Sequence, residues 1–305
     1  MKSPVQLNIG FVPALQALPL AAHAREHPEW RMRPCASHGR IIRYLLTGRL
    51  DAGLLPWELC VAELLSKPAQ QGVWLIPLII FACPTELALT PAALHLVYPS
   101  RNGQRGARKR LTIGLEGRLS LTRHQVLAWL AKVAPNHLDP PAFRILPIDL
   151  MQKALRAEFI DGFVAPTPWG LQAALAVGTK ADPAFEPGKF AQQVVLVCTR
   201  EVAATMAEAF RRLPAQLASV RRSLAAEPAF RDAASAMIGL GHPHCDPDQL
   251  WQVSHCLHSP STDHAEMTPD HAWFEKQFRL LAERIPAAAH LHLDSVKAAL
   301  LALPS

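Results

Sequence analysis

Apolar positions along this chain fall into short continuous runs that alternate with helically spaced stripes. Leu7–Val12 (LNIGFV) is an apolar run closed by Pro13, the pattern of a buried strand. Ala14–Glu26 has helical spacing. His38–Gly48 places Ile41, Ile42, Leu45 and Leu46 on one stripe, with Gly48 as the expected stop. Asp51–Leu55 reads as a second strand, Trp57–Ser66 as a helix, Val73–Phe81 as strand-like and Thr85–Leu89 as another strand. A basic, glycine-containing stretch, Ser100–Arg110, interrupts the pattern. A second set follows: strands at Leu111–Leu115, Phe143–Ile148 and Asp161–Ala165, and helices at Ser120–Val133, Leu150–Ala157 and Trp169–Val177. Val194–Cys198 is a further strand. From Arg200 the chain reads as helical, with Pro214, Pro228 and Pro243 as breaks.

Strands alternating with helices through short connections imply βαβ units and mostly parallel sheets. Two such sets, then a return strand and a helical tail, predict an α/β protein of two lobes. Residues 1–95 and 193–305 are expected to form the first lobe and 96–192 the second, with crossings near Leu89–Pro99 and Phe190–Val194. Ligands of such folds sit at strand carboxyl ends and helix N-termini, here in a cleft between the lobes.

Composition narrows the classes. With 305 residues, half of them apolar and 18% charged, the chain can bury a sizeable core, which excludes disorder as its main state. The 31 basic and 25 acidic residues leave +6, a lean toward anions too modest to demand nucleic acid. The longest apolar run, Val73–Cys83, is far short of the ~20 residues of a spanning helix, so no membrane insertion is expected. Gln6, Asn8, Pro13, Gln16 and Pro19 interrupt what would be the apolar region of an export signal. The expectation is a cytoplasmic protein, with the periplasm as the alternative. Six scattered cysteines with no CxxC pair fit reduced, mostly buried thiols.

Few residues carry recognisable chemistry. His38 follows Ser37, an N-cap candidate, and reads either as a cleft-facing imidazole or as an exposed first-turn residue. Ser120 and Thr122 open a helix whose free N–H groups can hold an anion, with Ser120 equally a plain cap. Trp169, in Thr167-Pro168-Trp169-Gly170, either lines the cleft or packs beneath it, since a Thr cap followed by Pro is itself a helix start. The His- and Cys-rich segment His242–His271 offers pairs such as His244 and Cys245. Adjacent His-Cys doublets splay their side chains, so a solvated loop is favoured over zinc. Arg101–Arg110 is likewise favoured as a solvated loop, with no direct nucleic-acid contact. Phosphate-loop, GxGxxG, HExxH and GxSxG patterns are absent, and neither cofactor nor metal is expected.

Leu7–Ala24, Ala36–Pro56 and Asp161–Ala174 together resemble the nitrate- and bicarbonate-binding proteins of ABC importers, which have the type 2 periplasmic-binding-protein fold. Cys198–Leu224 is similar to the helix after that family's return strand, and the resemblance spans roughly residues 5–285. The Asp-Gly-Phe…Pro-Trp signature at Asp161–Trp169 is its most specific part, and Gly48–Ala52 is a weaker one. The resemblance implies a non-catalytic, hinge-closing solute binder, working with an ABC permease or as a cytoplasmic sensor that signals to a regulatory protein. It also implies ligand positions. The family's Trp, Gln, His and Lys fall on His38, Glu86, Thr122 and about Gln193, and every one departs from the pattern. Ser120 and Trp169 complete the expected ligand set. Glu86 is the gravest departure. Like charges ~4 Å apart cost about 4 kcal/mol even at an effective dielectric of ~20, so nitrate is expected to bind poorly and a neutral or cationic solute better. The alternative is an enzyme on the same scaffold. Leu7–Leu20 and Gly48–Glu58 also resemble chorismate dehydratase, although the Tyr-Leu-Asn expected there reads Ala14-Leu15-Gln16.

Overall fold

A computed structural model describes residues 6–60, 75–83, 85–98, 109–117, 120, 122–135, 138–166, 168–179, 192–239 and 247–253, with a few positions between 272 and 283. The second half of the helix expected over Trp57–Ser66, the basic loop through Arg108 and most of His242–His271 lie outside the described residues. The chain divides into two compact units, Met1–Cys83 with Gln193–Ser305, and Pro84–Gln192.

The first unit holds a sheet of β1 (Leu7–Phe11), β2 (Trp30–Pro34), β3 (Ala52–Pro56), β4 (Leu75–Cys83) and β9 (Gln192–Thr199), in the order β2-β1-β3-β9-β4. β2 and β3 run parallel to β1, and β9 is antiparallel to β3 with Pro56 opposite Val194. A short 3-10 turn, Leu15–Ala17, leads into α1 (Leu18–Glu26), and α2 (His38–Leu46) connects β2 to β3. Gly10 and Gly53 are register partners on β1 and β3; a Cβ on Gly53 would run into the Ile41 side chain, and one on Gly10 into Leu50 and tightly against Ile41. Their missing side chains let α2 settle onto the sheet. Thr47 and Gly48 (φ 66°) end that helix as the sequence predicts. The core of this unit joins Ile9, Phe11 and Leu54 to Leu20 of α1 and to Leu213, Leu217 and Phe230 of the C-terminal helices.

Those helices are α7 (Arg200–Thr205), α8 (Ala207–Ser223), α9 (Glu227–Gly239) and α10 (Pro247–Val253), numbered after the helices of the second unit. Pro214 does not break the chain. It lies inside α8 on the buried face with Phe210, Leu213 and Leu217, whose burial outweighs the lost backbone bond. Pro228 sits in the first turn of α9, where its missing N–H costs nothing.

The second unit holds β5 (Thr85–Leu89), β6 (Lys109–Leu115), β7 (Leu138–Ile145) and β8 (Gly162–Pro166), in the order β5-β8-β6-β7. β6 is parallel to β7 and β8, while β5 runs antiparallel to β8 with Thr85 opposite Pro166. Residues 84–95, expected with the first lobe, therefore belong here: the pairing of β5 with β8 draws them in. α3 (Pro91–Val97), α4 (Thr122–Val133), α5 (Ile148–Arg156) and α6 (Trp169–Ala176) complete the unit around Leu87, Leu89, Ile113, Trp129 and Val164. β7 begins five residues earlier than its apolar pattern indicates. Its Pro140 and Pro141 are tolerated because it is an edge strand paired only with β6.

The same latch fastens each sheet. Asp51, just before β3, accepts from the Asn8 backbone N–H at 2.7 Å and from Asn8 Nδ2 at 3.1 Å. Asp161, just before β8, accepts from the Thr112 N–H on β6 at 2.6 Å. The aspartates of the two signature motifs thus pin neighbouring strands together.

Candidate functional site

Parallel strands deliver their carboxyl ends, and the helix N-termini that follow, to one edge of a sheet. In the first unit that edge carries the residues after Phe11, Pro34 and Pro56 and the start of the antiparallel β9 at Gln192. In the second it carries the residues after Leu115 and Pro166 and the start of β5 at Thr85. Buried polar side chains collect on these edges: Gln16, His38 and Glu58 in the first unit, and Thr85, Ser120, Thr122 and Gln125 in the second. Proteins bury such groups sparingly, so these side chains are the candidate site residues; the other two buried polar side chains among the described residues, His23 and Thr90, lie elsewhere.

In the first unit, Ser37 caps α2, its hydroxyl accepting from the Arg40 N–H at 3.3 Å. His38 is the first helical residue and only 2% exposed, so it is not a solvated first-turn histidine. Gln193 lies one residue before the Pro56–Val194 pair and is half-buried; its Oε1 is buried without a hydrogen-bond partner among the described residues. Gln16 was not anticipated. It sits in the 3-10 turn after β1, 2% exposed, and its Oε1 is also unpartnered among the described residues. Cys35, on the same edge, is a free thiol that donates weakly to the Arg33 carbonyl at 3.7 Å. Burial raises its pKa, and the nearby Arg40 charge only partly opposes that shift.

In the second unit, the Ser120 hydroxyl accepts from the Thr122 N–H at 3.2 Å at the start of α4, so Ser120 caps that helix, and both residues are buried. α6 starts differently from the sequence expectation. Pro168 occupies its cap position and supplies no side-chain bond; the Glu86 carboxylate does, accepting from the Leu171 N–H at 2.6 Å. A Cβ at Gly170 would lie 2.7 Å from Glu86 Cβ and 3.0 Å from Glu86 O, so glycine is what admits β5 this close. Trp169 is partly exposed at the head of the helix. Glu86 therefore belongs to the second unit, where its carboxylate already occupies a helix N-terminus. His38 and Gln193 lie on the edge of the first unit, and Glu86, Ser120, Thr122 and Trp169 on that of the second.

A depression of about 410 Å³ lies on the opposite, amino edge of the first sheet, lined by Leu46, Gly48, Asp51, Thr199 and Met206. Among the described residues, no group of three His, Cys, Asp or Glu is placed to hold a metal ion, and no helix is long and apolar enough to cross a membrane.

The two-unit α/β fold with these edges is that of the solute-binding components of ABC-type importers. The ligand-binding component of such a system from Staphylococcus aureus, solved with zinc bound, superposes with a TM-score of 0.62 at 16% identity, over 91% of each chain. The alkanesulfonate-binding protein SsuA of Xanthomonas axonopodis pv. citri, bound to MOPS, gives 0.59 at 15% identity over 96% of each chain. The nitrate-binding protein NrtA of Synechocystis PCC 6803 gives 0.58 at 12% identity, over 77% of this chain and 66% of its own. No protein-family model matches the sequence, and no curated protein matches it.

Proposed function

We propose that this protein is a non-catalytic binder of a small polar solute that uses the carboxyl edge of each sheet as its ligand-facing surface. The observation that carries the reading is the concentration of buried polar side chains on those edges. His38, Gln193, Thr122 and Trp169 are the contact residues in this proposal, while Ser120 and Glu86 act by holding helix N-termini in place. The neighbours of known structure are described with zinc, an alkanesulfonate and nitrate, so the fold accommodates very different solutes.

The chemistry of the edges favours binding over catalysis. Cys35, the thiol nearest His38 in sequence, is held protonated by burial, the reverse of what an activated nucleophile requires. The partner in this reading is an ABC permease or a regulatory protein that responds to the liganded state. The cytoplasmic sensing role draws support from Cys35, Cys60 and Cys198, all buried and free.

Thermal melting against a solute panel that includes nitrate, bicarbonate, sulfonates, amines and divalent metals tests the proposal, with the solute assayed afterwards by NMR. Saturable stabilisation by a solute recovered unchanged is expected. Conversion of the stabilising solute, or stabilisation by none, overturns the reading.

A further inference from the structure

We infer that the first unit recognises its solute through hydrogen-bond donors on that solute, received by the side-chain carbonyl oxygens of Gln16 and Gln193. The inference rests on the solute-binding reading and deepens it by naming the ligand's chemical class: a neutral or cationic molecule bearing N–H or O–H groups, rather than a simple oxyanion.

Two observations carry it. Gln16 is 2% exposed, and its Oε1 has no partner among the described residues. A buried carbonyl oxygen is normally satisfied, and one left over marks a place where a donor arrives from outside the protein's own groups. Packing alone does not account for a glutamine here. Its neighbours Leu15, Ala17 and Leu18 are fully buried core residues, and a methionine would fill the same volume without an orphaned acceptor. Gln193, half-buried, carries another such oxygen, and it belongs to the same unit and the same sheet edge. The turn carrying Gln16 packs on β4, β4 is the sheet neighbour of β9, and Gln193 is the second residue of β9. With the two amides oriented as they stand, a nitrate or a sulfonate, which presents only acceptor oxygens, would meet two more acceptors. An ammonium, amide or hydroxyl group meets both productively.

The test uses small probes matched in size and opposite in hydrogen-bonding sense: urea, guanidinium and methylammonium as donors, and nitrate, bicarbonate and methanesulfonate as acceptors. Each is titrated at millimolar concentration into the full chain and read by thermal shift and ligand-observed NMR. The donor set is expected to bind saturably and the acceptor set at least tenfold more weakly. Gln16→Met and Gln193→Met should each weaken the donor probes about tenfold while melting no lower than the wild type without ligand, because neither oxygen has a partner to lose. Acceptor probes binding as well as donors, or donor binding unchanged in both variants, overturns this inference and leaves the solute-binding reading intact. A lower melting temperature in the unliganded variants assigns the glutamines a structural role and also overturns it. Failure of both probe sets and of the broader panel removes the solute-binding reading itself.

Discussion

The carboxylate of Glu86 accepts a hydrogen bond of 2.6 Å from the backbone N–H of Leu171, tying the first strand of the second unit to the start of α6. The helix has no side-chain cap from its own sequence, and the negative charge complements its positive end. Glu86→Ala removes the acceptor and is expected to destabilise the protein by about 1–3 kcal/mol. Glu86→Gln keeps an acceptor and loses only the charge, worth about 0.3–1 kcal/mol. Urea denaturation of the two variants should separate them in that order, and equal losses would show that the bond to Leu171 contributes nothing.

Gly170 tests the same junction from the other side. Alanine normally helps a helix interior by up to about 1 kcal/mol over glycine. Here its Cβ would stand 2.7 Å from Glu86 Cβ and 3.0 Å from a backbone oxygen, and such overpacking costs about 1–3 kcal/mol. The clash should win, so Gly170→Ala is expected to lower the melting temperature. In a double-mutant cycle, Gly170→Ala and Glu86→Gly together should cost less than the sum of the two single changes, because the second removes the Cβ that the first strikes.

Much of this architecture can be read from the sequence, for identifiable reasons. β3 and β8 are wholly buried and appear as uninterrupted apolar runs, and β1 as a run broken only by Asn8. The α2 stripe and its end at Gly48 follow from spacing alone. β2 escapes detection because an edge strand reading Trp-Arg-Met-Arg-Pro exposes both arginines and lacks an apolar run. The Glu86–Leu171 bond joins residues 85 positions apart, so no local pattern announces it. Gln16 reads in sequence only as a polar interruption. Its significance comes from the buried turn that encloses it. Asp51 and Asp161 stand out in the motifs, but only the strand register reveals them as latches.

Acid should loosen the first unit through His23. This side chain is buried, stacks on His27 at 4.1 Å and meets Trp30 edge-on. Burial, reinforced by the His27 charge and partly opposed by Glu29, lowers its pKa from 6.5 to about 4. The unfolded chain therefore binds the proton more readily than the folded one between those values. Stability is fully present above about pH 6.5 and falls as the pH drops toward 4, by up to roughly 3 kcal/mol from this group. Chemical denaturation between pH 7 and pH 4 should show the slope, and His23→Gln should flatten it. An unchanged slope would assign the acid sensitivity elsewhere.

The buried thiols should be inert in the folded protein. Desolvation pushes Cys198 up to about 12 and raises Cys60 as well, with Glu58 adding to the effect on Cys60. Single-cysteine variants retaining Cys60 or Cys198 are expected to react with Ellman's reagent at pH 8 only after denaturant is added. Rapid labelling of either in the native state would contradict the burial described for it.

Hydrogen exchange of the full chain with and without a stabilising solute tests the central claim most directly. Binding at the carboxyl edges predicts slowed exchange at residues 12–17, 35–41 and 193–195 in the first unit and at 120–125 and 169–172 in the second, with the solute recovered unchanged. Protection confined to the amino edge, around Gly48, Asp51 and Thr199–Met206, would contradict the account.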